Sequence, residues 1–172
     1  PQVRPRTLAR PALLAALLAA AAGAHAQSSV AVYGLIDLSA GRFQAPGGSA
    51  DKAVEAGKMT TSYLGFRGSE DLGGGLRANF AIEHFMRPDT GAAGRFNADG
   101  FWTRSAFVGL SGGFGAVTIG RTTTSLFVQT LSFNAFGDAF GFSPSIRHYF
   151  SSGTTTGDTG WSDSIKYTSP KF

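Results

Sequence analysis

The sequence predicts an all-β fold of antiparallel strands. Three observations predict it. Apolar residues recur with a period of two through most of the chain after residue 26. The connections between these stretches alternate short and long. Glycine and phenylalanine are both abundant, at 24 and 15 of 172 residues. Glycine at about twice its ordinary share of roughly 7 % marks a chain with many turns. Charged residues make up only 15 %, which excludes a highly charged disordered chain.

The first element is a leader at residues 1–26. Arg4, Arg6 and Arg10 precede an apolar run from about Ala12 to Ala22, and Ala24-His25-Ala26 supplies the small-x-small pattern of a cleavage site. The run is too short for the roughly 30 Å of a bilayer core, so a secretory signal peptide is expected rather than an anchor. The mature chain then begins at Gln27. Three of the 15 basic residues and none of the 11 acidic ones lie in the leader, so the net charge falls from +4 to +1. A nearly neutral chain gives no electrostatic case for nucleic acid. It carries no cysteine into an oxidising space, so its stability does not rest on disulfides.

The strands follow in order. Stretch 30–40 places Val30, Val32, Ile36, Leu38 and Ala40 on one face and Ala31, Tyr33, Leu35, Asp37 and Ser39 on the other. Stretch 60–68 sets Leu64 and Phe66 against Tyr63, Gly65 and Arg67. Stretch 76–85 is the clearest: Leu76, Ala78, Phe80 and Ile82 alternate with Arg77, Asn79, Ala81 and Glu83. Stretches 102–110, 116–121 and 161–168 complete the strand candidates. No apolar run of roughly 18 or more residues follows Ala26, so no transmembrane helix is expected.

Periodicity alone does not separate a soluble β-sandwich from a transmembrane β-barrel, but the connections do. Segment 41–58 is long, 69–75 short, 87–100 long, 111–115 short, and about 122–160 very long. Tight turns at one end and long loops at the other are the pattern of an outer-membrane barrel. Gly73, Gly74 and Gly75 then supply the positive φ angles of a tight hairpin. A phosphate-binding loop is the rival reading of Gly68 and Gly73. It fails because Gly74-Gly75 stands where Lys-Ser/Thr is required, and the next segment alternates with period two.

Four segments now carry a resemblance: SSVAVYGLIDLSAG (28–41), GFRGSEDLGGGLRANFAIE (65–83), RSAFVGLSGGFGAVTIGR (104–121) and SDSIKYTSPKF (162–172). Together they cover roughly half of the mature chain, and the sequence resembles the Gram-negative general diffusion porins of β-proteobacteria. The resemblance implies a 16-stranded transmembrane antiparallel β-barrel that assembles as a homotrimer. About six strands fit in 27–172, whereas the smallest bacterial barrels have about 8. An open edge in lipid is not tolerated. The N-terminal part of such a barrel is therefore expected. The segment YTSPKF resembles an internal strand junction, so Phe172 is not read as the family's terminal assembly signal. The implied function is passive diffusion of small hydrophilic solutes and ions through a water-filled channel. No enzyme activity, cofactor or metal is expected, and the expected surroundings are outer-membrane lipid.

The resemblance also implies site residues. Segment 122–160 corresponds to the loop that folds into the barrel and narrows it. Phe127, Phe133, Phe136, Phe140 and Phe142 suit a loop packed against the inner wall. Asp138 is the only acid between 122 and 157, and it is expected as the negative group of the constriction. Arg121 matches an arginine that ends the preceding strand and is expected as its positive partner. Strict alternation sends Arg121 to the lipid face with Val117 and Ile119, at a cost of roughly 2–4 kcal/mol. A bulge at Gly120 re-aims it inward. Glu83 matches a wall acid of the constriction, and Tyr63 stands where relatives often carry arginine.

Asp37, Arg67, Arg77 and Arg104 are expected to line the channel, Arg67 toward the periplasmic end. Relatives also carry arginine near Trp161-Ser162, where Arg147 or Lys166 stand as substitutes. This thinner basic ladder leaves the ion preference open. Phe85, Phe101, Trp102, Trp161 and Tyr167 fit interfacial girdles.

Two other classes compete. A secreted soluble β-sandwich, such as an adhesin-like binding module, explains the leader and strands but not the short–long alternation. A barrel enzyme needs a nucleophile and base at a rim. The histidines His25, His84 and His148 do not cluster, and no such set is visible in the sequence.

Overall fold

The computed structural model of the chain describes residues 29–44, 47–151 and 157–170. The expected leader and Phe172 lie outside the described residues. The strands are β1 (Ser29–Leu35), β2 (Leu38–Gln44), β3 (Ala50–Ala56), β4 (Tyr63–Gly73), β5 (Leu76–Arg87), β6 (Ala92–Ala93), β7 (Ser105–Gly112), β8 (Gly115–Thr123) and β9 (Gly160–Thr168). Strands β1, β4, β5, β7, β8 and β9 lie side by side in that order, every pair antiparallel. β2 pairs with β3, and β6 adds a short step to β5. The fold is the expected all-β antiparallel sheet. It is open, with β1 and β9 at its edges.

Register explains the alternation read from the sequence. Val30, Gly68, Phe80, Val108, Ile119 and Ile165 are consecutive partners and form one row across all six strands. Because directly paired residues share a face, this row lies on one side of the sheet. Val30 is 68 % exposed, Val108 62 % and Ile165 76 %. A continuous apolar surface of this kind requires lipid or protein over it. The next rows point the other way: Ala31, Arg67, Ala81, Phe107, Gly120 and Ser164, then Ser29, Ser69, Asn79, Gly109, Thr118 and Lys166. Apart from Phe107 these are small, polar or basic. The sheet therefore has one apolar side and one wet side.

Short turns close one end. Gly73, Gly74 and Gly75 have φ of +83°, +61° and +80°, and the Asp71 carboxylate accepts from the Gly73 amide at 2.8 Å. The β7–β8 turn at Gly113-Phe114 is equally tight. At the other end, segment 41–58 is not the loop that its polar composition predicts. Most of it is the β2–β3 hairpin, with Leu38 opposite Ala56 and Gln44 opposite Ala50.

A break separates this hairpin from the main sheet. Pairing stops at Leu35–Tyr63 and resumes at Leu38–Ala56, so residues 36–37 face residues 57–62. Asp37 organises the excess chain. Its carboxylate accepts from the Met59 and Thr60 amides at 2.7 and 2.9 Å, and its own amide donates to Ser62 Oγ at 2.8 Å.

The long connection 124–159 is partly helical. Thr124 caps α1 (Ser125–Ser132) by accepting from the Phe127 amide at 3.1 Å. Ser143 caps the single turn α2 (Pro144–Ile146) by accepting from the Ile146 amide at 3.2 Å, with Pro144 in the first turn. A π-helical turn follows at Arg147–Ser151. Ala139 and Ile146 are fully buried in this connection, and Ala81 and Phe85 are the other buried apolar residues among those described. The core is thus small and local, as befits a wall rather than a globule. The five phenylalanines do not all pack inward: Phe133 is 88 % exposed, and Phe136 and Phe142 are also open. Only Phe127 and Phe140 are half-buried.

Candidate functional site

Two charged clusters and one anchor occupy the wet side and its long-loop end. The first cluster centres on Glu83 of β5, which is buried. Register places Tyr33, Gly65, Glu83 and Ser105 in one row across β1, β4, β5 and β7. The Tyr33 hydroxyl donates to Glu83 Oε1 in a short contact, and Arg104 Nη1 lies 2.6 Å from Glu83 Oε2. The Arg104 guanidinium sits 3.8 Å over the Tyr63 ring, and Arg67 sits 4.6 Å over Tyr33. The two tyrosine rings meet edge to face at 5.9 Å. Gly65 makes the pair possible, because a Cβ there would stand 2.9 Å from Glu83 Cγ and 3.1 Å from Tyr33 Cζ.

The second cluster joins three segments. Arg95 lies in the connection between β5 and β7. It forks onto Asp99 at 2.9 and 3.1 Å and donates to Asp158 Oδ1 at 2.8 Å. Asp158 Oδ2 accepts from Arg121 Nη2, while Arg121 also donates to the Thr103 carbonyl and, at 3.0 Å, to Ser162 Oγ. Burial alone would push the Asp158 carboxyl up. The hydrogen bonds from Arg121 and Arg95 outweigh it and hold the group below its usual value. Asp99 behaves likewise: burial is opposed by the side-chain and backbone bonds of Arg95, and the carboxyl is lowered.

The anchor fastens the long connection to the break. Thr60 Oγ1 donates to Asp138 Oδ2 at 2.6 Å, and the Gly141 amide donates to the Lys58 carbonyl at 3.2 Å. Asp37 holds Thr60 by its backbone, so one carboxylate positions the hydroxyl that grips another.

Arg121 and Asp138, expected as partners, are not paired. Arg121 binds Asp158, and Asp138 binds Thr60. The arginine that lines a cleft together with Asp138 is Arg104, with Thr60, Phe85 and Phe127. A bulge does lie at Arg121: Gly120 has φ +128°, and the register to β9 shifts between Gly120 and Thr122. Tyr63, Glu83, Arg67 and Arg104 come together in the first cluster. Arg104 precedes β7 rather than standing within it. Arg77 is on the same side but near the short turns, exposed and 3.8 Å from Asp71. Asp37 belongs to the break and spends its carboxylate on backbone amides.

Sequence reasoning missed Tyr33, Thr60, Arg95, Asp99 and Asp158. Alternation does place Tyr33 on the wet side, and that signal was available. The other four meet only through the fold. Thr60→Val removes the hydroxyl and keeps the shape. It should release the 133–142 turn at a cost of about 1–3 kcal/mol. The check is hydrogen exchange at the Gly141 amide, which should lose protection, while Thr60→Ser should retain it.

The comparisons with known proteins agree with this geometry. The sequence matches the family described as Gram-negative porin over residues 12–172. It is 35 % identical over 161 residues to outer membrane porin protein 32 of Delftia acidovorans, covering 91 % of this chain and 44 % of that protein. It is 36 % identical over 119 residues to the major outer membrane protein P.IB of Neisseria meningitidis serogroup B, covering 66 % and 34 %. Among solved structures it is similar to the anion-selective porin from Comamonas acidovorans, with a TM-score of 0.55 and 35 % identity, over 64 % of this chain and 32 % of that one. The chain spans less than half the length of these curated relatives. The lipid-ready row, the wet opposite side and these matches meet in one conclusion: the chain belongs to the Gram-negative porin family and is an outer-membrane protein whose described strands form a stretch of antiparallel β-barrel wall.

Proposed function

We propose that this wall encloses a water-filled channel for passive diffusion of small hydrophilic solutes and ions, working as a homotrimer. The observation that carries it is the two-sided sheet, with its complete apolar row outside and polar rows inside. The 124–159 connection, fastened to the break through Thr60 and Lys58, narrows the lumen. The 1–26 leader directs export. Such a channel acts by size and fixed charge and needs no catalytic group or cofactor. A soluble sandwich or adhesin module would need a second layer over the apolar row, and among the described residues none covers it. Single-channel recording of the full-length protein in a planar bilayer tests the reading. Conductance steps that close in three equal levels support it, and no channel activity from folded protein overturns it.

The charges of the wall favour a modest preference for anions. Glu83 is occupied by Tyr33 and Arg104. Arg67 and Lys166 stand on the wet side with no carboxylate partner among the described residues. Arg121→Ala should move the reversal potential in a salt gradient toward cation preference by several millivolts. The removed guanidinium leaves Asp158 with Arg95 alone, and the mouth gains one unit of negative charge. An unchanged reversal potential would remove Arg121 from the filter.

A further inference from the structure

A cavity of about 740 Å³ opens at the long-loop end of the sheet, between the break, the end of β5, the β5–β7 connection and the 124–159 connection. Its size is that of a small-molecule site. Three cations line it, and two are already engaged. Arg95 is bound to Asp99 and Asp158, and Lys58 to Glu55. Arg87 differs. It follows Glu83 and Phe85 at two-residue steps along β5, so it stands on the wet side. Its Nη2 donates only to neutral acceptors, the Ala93 carbonyl at 3.3 Å and Asn97 Oδ1 at 3.0 Å. Among the described residues it has no carboxylate partner, its Nη1 has no acceptor, and its Nε is buried without one. A half-buried guanidinium without a counter-ion is costly to hold, and an anion in the cavity offsets that cost.

The rest of the lining selects the anion. Phe96, Phe140 and Phe150 border the same space. Phe150 is braced edge to face on Phe127 at 5.2 Å, and Phe96 lies against the Arg95 guanidinium at 5.4 Å. Rings held in this way suit an apolar, flat body and give a bare inorganic ion nothing. Glu55 and Asp89 line the cavity as well. They disfavour a second negative charge on the solute. One unpaired cation, an aromatic surround and two acids together describe a singly charged anion with a ring.

We propose that this cavity binds aromatic monocarboxylates, with the carboxylate on Arg87 and the ring among Phe96, Phe140 and Phe150. The site adjoins the anchor of the long connection, because Lys58 accepts from the Gly141 amide and Lys58 and Phe140 both line the cavity. A solute held there waits at the entrance to the narrowed lumen. Its part in uptake rests on the channel reading, whereas the binding rests on the cavity alone.

Full-length protein in detergent is titrated calorimetrically at pH 7 with benzoate, and separately with acetate, benzyl alcohol and terephthalate. Acetate lacks the ring, benzyl alcohol lacks the charge, and terephthalate adds a second charge. Benzoate should bind about tenfold more tightly than each of them. Arg87→Gln should weaken benzoate about tenfold and leave benzyl alcohol unchanged. Phe96→Ala, at a position 56 % exposed, should weaken benzoate and not acetate. Should Arg87→Gln fail to fold, Phe96→Ala and the wild-type series still decide. Acetate or terephthalate binding as tightly as benzoate, or benzoate binding untouched by either variant, would overturn the site. Benzoate binding by protein without conductance keeps the site and removes the channel. Conductance without benzoate binding does the reverse.

Discussion

Glu83→Ala is expected to destabilise the wall by about 2–3 kcal/mol, more than any other substitution on its wet side. Glu83 is 5 % exposed and accepts from Tyr33 while pairing with Arg104 at 2.6 Å. Alanine leaves a cavity between β1 and β5 and deprives the Arg104 guanidinium of its only carboxylate among the described residues. Removing one partner of a buried pair costs roughly 3–5 kcal/mol. Arg104 keeps about a third of its side chain open to water, so the loss is placed below that range. Its stacking on Tyr63 at 3.8 Å persists in the variant and limits the loss further. Glu83→Gln separates shape from charge. The amide oxygen still accepts from Tyr33, so about 1 kcal/mol is expected. Urea unfolding of full-length protein from lipid vesicles checks both values. A glutamine variant with the wild-type midpoint would mean that the charge of Glu83 does nothing for the wall, and equal midpoints for the alanine and glutamine variants would assign the whole effect to the charge. In bilayers both variants should shift selectivity toward anions, because each frees Arg104.

The sheet was legible because its signal is local. A strand that faces lipid on one side must alternate, and stretch 76–83 shows that alternation without interruption. The β5 register then follows from the tight turn at Gly74-Gly75, where positive φ leaves little freedom. The register shift beside Arg121 was legible for a different reason. The parity of Arg121 conflicted with its charge, and the adjacent glycine offered a place for a bulge. The break at 36–37 and 57–62 was not legible. Ile36-Asp37 continues the period of β1 without a flaw, and the excess residues lie on the other strand, in a segment whose polar composition reads as an ordinary loop. Asp37 thus looked like a lumen residue of a continuous strand, although its carboxylate is bound to backbone.

The partner of Arg121 was misread because pairing between distant segments leaves no periodic trace. Asp138 and Asp158 sit on the same connection. Only the folded path of that connection decides which acid reaches the wall and which is held by Thr60.

Asp158→Ala should detach the end of the long connection from the wall. Among the described residues Asp158 alone binds both Arg95 and Arg121, and it lies beside the backbone bond that closes the connection, Thr124 N–H to the Thr159 carbonyl at 3.0 Å. Without it the two guanidinium groups face each other with only Asp99 between them and the solvent. The Thr124 amide should then lose protection from hydrogen exchange by about tenfold or more, which is what one lost charge-assisted bond supplies.

Acid should reproduce the effect in the unmodified protein, and the direction is fixed. The Asp158 and Asp99 carboxyls are held below their usual value. Their contribution is therefore complete above the ordinary aspartate value of about 3.9 and is lost only as pH falls through the lowered folded values. Protection at Thr124 should stay constant from neutral pH down to about 5 and collapse below about 4. In Asp158→Ala it should be low at pH 7 and change little on acidification. Because 37 % of the Asp158 side chain is open to water, global unfolding should move far less than this local signal. A protection profile that collapses near pH 6 would point to a histidine instead. Identical profiles in the two proteins would mean that the connection is held by Thr60 and Lys58 alone.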